Sequence, residues 1–251
     1  KNFTLSQIIH NRHAHIYTID STDYDYGLSL NYYNDKQSLS FNYELYQSDA
    51  LNLSLKKVFN LKLLNHTINL DYNKSRVPIL INSYYSNHFC FDNDFNNIKI
   101  AKATYFVKHK NFSFISDLNH YSDYVYLNQD SHYQQHQNAI IKWHNKLTIN
   151  LNWNRFHTTQ TMEYQYADNN SILRFPEFNY NTSLWFESNL FGDNLNTQIG
   201  ADMNYFTSYY ANAYNPALAK FYLQDNQLIG DVPLISVFLK LKVHNLSLIH
   251  I

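Results

Sequence analysis

Three histidines near the start of the chain have the first claim to chemistry. His10, His13 and His15 form an H-x-x-H-x-H cluster, and imidazoles so spaced can hold a transition metal. On an extended strand His13 and His15 share a face and His10 does not. No Cys or carboxylate beside them completes a ligand set, so the three read as exposed or lumenal side chains and no metal is expected. Asp20, Asp23 and Asp25 form one small acidic group, and Asp92 with Asp94 another. Loop carboxylates can bind Ca²⁺, but the D-x-D-x-D-G order of an EF-hand is missing, so these read as solvated loop charges. No G-x-S-x-G, P-loop or G-x-G-x-x-G occurs, and the chain's 4 glycines leave no room for a hidden one. Cys90 is the single cysteine, so no intrachain disulfide can form. Neither a catalytic residue nor a cofactor is expected.

The elements that would position any site have a period of two. Leu147, Ile149, Leu151 and Trp153 alternate with Thr148, Asn150, Asn152 and Asn154, giving one apolar and one polar strand face. Leu195 to Tyr205 alternates in the same way with Asn196, Gln198, Gly200, Asp202 and Asn204. Val237, Leu239, Leu241 and Val243 alternate with Ser236, Phe238, Lys240 and Lys242, and Leu39 to Leu45 repeats the pattern. No stretch keeps a 3.6 period. The runs are also long. About 10 residues at ~3.3 Å each, tilted by ~40°, rise ~25 Å, the height of an outer-membrane barrel's apolar band. Soluble sandwich strands are typically about 5–6 residues. No apolar run approaches the ~18 residues of a spanning helix, and closed barrels are the other way to satisfy a backbone in lipid.

The composition agrees with an all-β membrane protein without requiring one. Of 251 residues, 23 are Tyr and 17 are Phe; Asn is abundant too, a bias that AT-rich coding also produces. Tyr and Trp at strand ends, such as Tyr180, Tyr205 and Trp153, suit interface girdles. A net charge of −1 gives no reason to expect nucleic acid as a partner. Connections alternate in length. Residues 86–97, 128–138, 167–178 and 210–231 read as long loops, and 108–111, Asn154–Arg155 and 191–194 as short turns. That is the rhythm of outer loops and periplasmic turns. It weakens before residue 60, where Gln47–Asp49 is too short for its place. The 210–231 loop is expected on the extracellular side.

The segment Gly200-Ala-Asp-Met-Asn-Tyr-Phe-Thr-Ser-Tyr-Tyr-Ala-Asn-Ala-Tyr-Asn-Pro216 resembles the β-barrel porin family of Bacteroidota. So do Phe221-Tyr-Leu-Gln224, Ile229-Gly-Asp-Val-Pro233 and Ile235-Ser-Val-Phe238 after it. Upstream, Tyr164-Gln165, Leu173-Arg-Phe-Pro-Glu177, Ser183-Leu-Trp-Phe-Glu187 and Leu190-Phe191 follow the same family's order; Ser86-Asn-His-Phe89 is a further element, with Phe91 where a Trp is expected. The resemblance spans roughly 65–243. It implies an antiparallel transmembrane β-barrel in the bacterial outer membrane and carries no catalytic residue.

The expected function is a channel for passive diffusion of small hydrophilic solutes. An energised (TonB-type) transporter barrel and a barrel displaying loops for binding or adhesion stand as alternatives. Asn150, Asn152, Asn196, Gln198, Asp202, Asn204, Ser236, Lys240 and Lys242 are expected to line the lumen. Leu147, Ile149, Leu151, Leu239 and Leu241 are expected to face outer-membrane lipid. Asp202 opposed by Lys240 and Lys242 argues against strong ion selectivity, which needs a ring of one sign. The chain is read as one barrel domain over 1–245, open or partly closed. Residues 246–251, Leu-Ser-Leu-Ile-His-Ile, match one reading frame of a common transposase sequencing adapter and are expected to be non-native. With Lys1 not an initiator Met and no signal peptide preceding it, the sequence reads as a fragment.

Overall fold

The computed structural model describes the backbone of residues 2–16, 19–33, 37–46, 50–61, 63–191, 194–243 and 246–250. Side chains are described for 30–32, 38–40, 50–61, 63–191 and 194–243. Five strands come first: β1 (Asn2–Ile16), β2 (Ile19–Tyr33), β3 (Gln37–Tyr46), β4 (Ala50–Leu61) and β5 (Leu64–Ser75), joined by connections of two or three residues. Residues 76–97 form a long connection holding a single helical turn, α1 (Ile79–Asn82), behind Pro78, and a small hairpin, β6 (Ser83–Tyr85) with β7 (Cys90–Asp92). After β8 (Ile98–Lys108), a short turn leads to β9 (Phe112–Ser122). A second long connection carries the hairpin β10 (Tyr124–Leu127) with β11 (Tyr133–His136). β12 (Ile140–Trp153) turns through Asn154–Arg155 into β13 (Phe156–Ala167), with Asn154 supplying a left-handed φ of 56° that Asn tolerates well. Residues 168–177 lead to β14 (Phe178–Leu190), and a short turn to β15 (Leu195–Phe206). The longest connection, 207–233, nests two small pairs, β16 (Tyr209–Tyr210) with β19 (Leu228–Ile229) and β17 (Ala213–Asn215) with β18 (Lys220–Tyr222). β20 (Leu234–Val243) and β21 (Leu246–His250) complete the chain.

Thirteen strands pair in chain order into one sheet, β1-β2-β3-β4-β5-β8-β9-β12-β13-β14-β15-β20-β21. The described neighbours pair antiparallel, as short connections between successive strands require. Among the described residues the sheet runs from β1 to β21 without a pairing between these two strands. This matches the all-β antiparallel architecture expected from the period of two and is consistent with the open or partly closed barrel expected of a fragment. From β5 onward the long and short connections alternate as read from the sequence. Before β5 that rhythm fails, since residues 17–18 and 47–49 are short where long loops would fall. The backbone of Leu246–His250 pairs with Leu239–Val243.

Burial is concentrated at one rim. Val77, Phe91, Leu127, Ile172 and Leu223 are buried in the long connections, and Ile140 and Ala167 at the strand ends beside them. The strands themselves leave large apolar side chains open, among them Leu70, Leu118, Leu151, Leu184, Ile199 and Val237, each at least half exposed. A soluble sheet would bury such a face against a second layer.

Candidate functional site

The pairing register decides which side chains share a face, because directly opposed residues of neighbouring strands point the same way. Asn150, Thr159, Ser183, Asp202 and Ser236 form one row across β12, β13, β14, β15 and β20. Glu187, Gln198 and Lys240 form a second, and Asn189, Asn196 and Lys242 a third. Asn204 lies opposite Asn181 and Leu234, and Asn152 opposite His157. The nine residues expected in the lumen therefore fall on one face. Rows of the other face read Phe114, Leu147, Met162, Tyr180, Tyr205, then Leu151, Thr158, Leu184, Ala201, Val237, then Phe156, Phe186, Ile199, Leu239. Leu241 opposes Thr197, and Ile149 opposes Gln160 and Phe112. Lys57, His66, His120, Asn145 and Gln160 are among the polar exceptions on the apolar face; Gln160 accepts a hydrogen bond from the Tyr180 phenol at 3.2 Å.

The polar face carries a ladder of paired charges. Asp117 accepts from the Thr104 hydroxyl at 2.5 Å and lies 3.5 Å from both Lys102 and His144. His144 is 3.7 Å from Glu163, which in turn pairs with Lys146 at 2.7 Å. Further along, Glu187 accepts from Asn196 at 2.9 Å and Gln198 at 3.1 Å, and Thr159 donates to Asn150 at 2.8 Å. Alternating signs on adjacent strands bind these charges into the sheet, and within this ladder no run of one sign forms. These polar side chains are half-buried or exposed, so each keeps access to water.

The long connections lean over one end of this polar face and lock together. The Lys142 ammonium sits 4.2 Å above the Phe175 ring, and Gln165 donates to the Pro176 carbonyl at 3.3 Å; both strand residues belong to the polar face. Arg174, almost wholly buried, donates to Asp225 at 2.6 Å and to the Gln224 carbonyl, tying 168–177 to 207–233. Asn215 donates to Ser131 at 3.0 Å and the Leu223 amide to the Leu127 carbonyl at 3.1 Å, tying 207–233 to 123–139. Gln135 exchanges bonds with the Asn96 backbone at 2.9 and 2.8 Å, and Phe91 stacks edge-on against Tyr133, so 76–97 joins the same assembly. Burial pushes the Tyr124 and Tyr133 phenols of this assembly above their ordinary range.

The alternation of strand residues carries no trace of these ties, which depend on which loops meet in space. Sequence reading also passed over Trp185, which the register puts on the polar face beside His157. The signal was present: at Leu184-Trp185-Phe186 the alternation of apolar and polar residues breaks. His10, His13, His15, Asp20, Asp23 and Asp25 lie outside the residues whose side chains are described; their backbones pair His10 with Asp25 and His15 with Asp20. Asp92 and Asp94 are exposed in the 76–97 connection. Among the described residues no three His, Cys, Asp or Glu side chains gather as a metal site.

No curated protein sequence matches the chain. A family model described as "Putative porin" matches residues 3–248, nearly the whole length, and the chain belongs to that family.

Proposed function

We propose that the protein is a passive channel for small hydrophilic solutes in the bacterial outer membrane. The lumen is lined by the polar face, including Asn150, Asn152, Asn196, Gln198, Asp202, Asn204, Ser236, Lys240 and Lys242. Leu147, Ile149, Leu151, Leu239 and Leu241 meet lipid. The observation carrying this reading is the opposition of the two faces. A predominantly polar face, broken by one aromatic row, lies under the long loops, and the face behind it exposes Leu, Ile and Val side chains with no second layer to cover them among the described residues. Exposed apolar surface on that scale marks a membrane contact. In lipid the same residues are stabilised by ~25 cal/mol for each Å² removed from water. The opposite arrangement would put Lys240 and Lys242 in hydrocarbon at ~2–4 kcal/mol each near the midplane.

The ladder of neutralised charges supports weak ion selectivity. Single-channel recording in a planar bilayer tests the reading. Steady ohmic conductance, with similar permeability to K⁺ and Cl⁻, is expected. A protein that inserts but passes no current without an energising partner belongs to the transporter class, or serves to display its loops.

A further inference from the structure

One row of the polar face is aromatic. His157, Trp185 and Phe238 lie in register on β13, β14 and β20, with Gly200 of β15 between the last two. The His157 and Trp185 rings stack nearly parallel, 16° apart with centroids 5.4 Å apart. The Phe238 ring fills the place where Gly200 has no side chain: a Cβ there would stand 2.6 Å from its Cζ and 2.7 Å from the Trp185 Cβ. Phe238 is buried, with the Lys240 ammonium 4.7 Å above its ring, and Trp185 stays half-buried beside it.

The rows on either side are entirely polar. Asn150, Thr159, Ser183, Asp202 and Ser236 flank it on one side, and Glu187, Gln198 and Lys240 on the other. The polar groups are already oriented. His157 Nδ1 is 2.8 Å from the Asn152 Oδ1, Nε2 is 3.8 Å from Glu187, and Glu187 is held by Asn196 and Gln198. The Trp185 indole N–H donates to no described residue. Beside the stack, Arg155, His157, Glu187 and Asn189 line an open hollow of about 440 Å³.

We propose that this row is a carbohydrate subsite, on which a pyranose ring stacks against Trp185 while its hydroxyls exchange hydrogen bonds with Asn152, Glu187 and Gln198. The chemistry selects that class. One ring face of a pyranose is lined by C–H groups that suit the negative face of an indole. Its rim of hydroxyls both donates and accepts, matching fixed carboxamides and a carboxylate. An inorganic anion would meet Glu187 and Asp202 as well as Arg155 and Lys240, so net charge does not select it, and an apolar solute would leave the two polar rows unpaired. The inference rests on the polar face being the channel lining and names the solute class that lining would slow and select.

The test uses the intact chain in detergent micelles, with Trp143→Phe and Trp153→Phe leaving Trp185 as the sole tryptophan. Malto-, cello- and xylo-oligosaccharides are titrated in parallel with sorbitol, a polyol without a ring. At least one oligosaccharide should change Trp185 emission saturably, and sorbitol should not. Glu187→Gln, similar in shape and neutral, should weaken that response about tenfold. Trp185→Phe, which retains a ring in the packing, should weaken oligosaccharide block of bilayer current by a similar factor. No saturable response to any of the three series overturns the subsite even if the channel conducts. So does a response that Glu187→Gln leaves undiminished. Saturable quenching beside a silent bilayer overturns the passive channel and retains the subsite.

Discussion

Asp231 closes the base of the 207–233 connection. Its amide donates to the Phe206 carbonyl at 2.8 Å, and the Tyr205 phenol donates to its carboxylate at 3.2 Å. A hydrogen bond from Ser208, followed by the one from Tyr205, holds its carboxyl below the ordinary value of 3.8. A depressed carboxyl contributes stability that is fully present above its unfolded value and is lost as pH falls through the folded one. Protection of this loop against an acid-active protease such as pepsin should accordingly fall as pH drops below about 4. Asp231→Asn should remove that pH dependence. A loop equally protected at all pH values in the native chain would show that the carboxylate does not anchor it. The preceding residue leaves little slack, since Gly230 has φ +116° and a Cβ would stand 2.8 Å from the Ser208 Cα. The sequence marks Gly230 and Asp231 as turn formers, but which strand end they grip depends on a partner more than twenty residues away. Trp185 is similar: its break in the alternation is legible, and its neighbours His157, Gly200 and Phe238 are known only once the register is.

Strand faces were the most legible part of the molecule, because a period of two needs no knowledge of partners. A one-residue slip would exchange the two faces of a strand, so adjacent residues make the sharpest test. Ser183 lies in the row of Asn150 and Asp202, and Leu184 in the row of Leu151 and Val237. Leu184→Arg should destabilise the folded protein in lipid by ~2–4 kcal/mol, and Ser183→Arg by no more than ~1 kcal/mol. Urea unfolding from phospholipid vesicles measures both. Equal costs, or the reverse order, would remove the assignment of the apolar face to lipid. The first strands are less legible because their connections at 17–18 and 47–49 are short on the rim that elsewhere carries long loops. Loop length there says nothing about which rim a turn occupies, and only the pairing order does.

At the scale of the whole molecule, the two rims differ in kind, and that difference predicts a direction across the membrane. One rim carries the connections 76–97, 123–139, 168–177 and 207–233, cross-tied through Arg174, Gln135 and Asn215. The other carries 109–111, Asn154–Arg155 and 191–194. Outer-membrane barrels place long loops outside and short turns in the periplasm. The single cysteine makes this measurable without any substitution, because Cys90 is exposed on the long-loop rim. A membrane-impermeant maleimide added to intact cells should label it, and with Cys90→Ser in place Asn226→Cys should label as readily. Asn111→Cys, exposed on the short-turn rim, should react only after the outer membrane is permeabilised. The 191–194 turn includes Asp193, which lies outside the described residues, so Asn111 is the firmer marker of that rim. Protection of Cys90 with labelling of Asn111 in intact cells would invert the topology. It would also turn the Arg174–Asp225 tie and the loops it joins towards the periplasm, where a solute would meet them after the channel instead of before it.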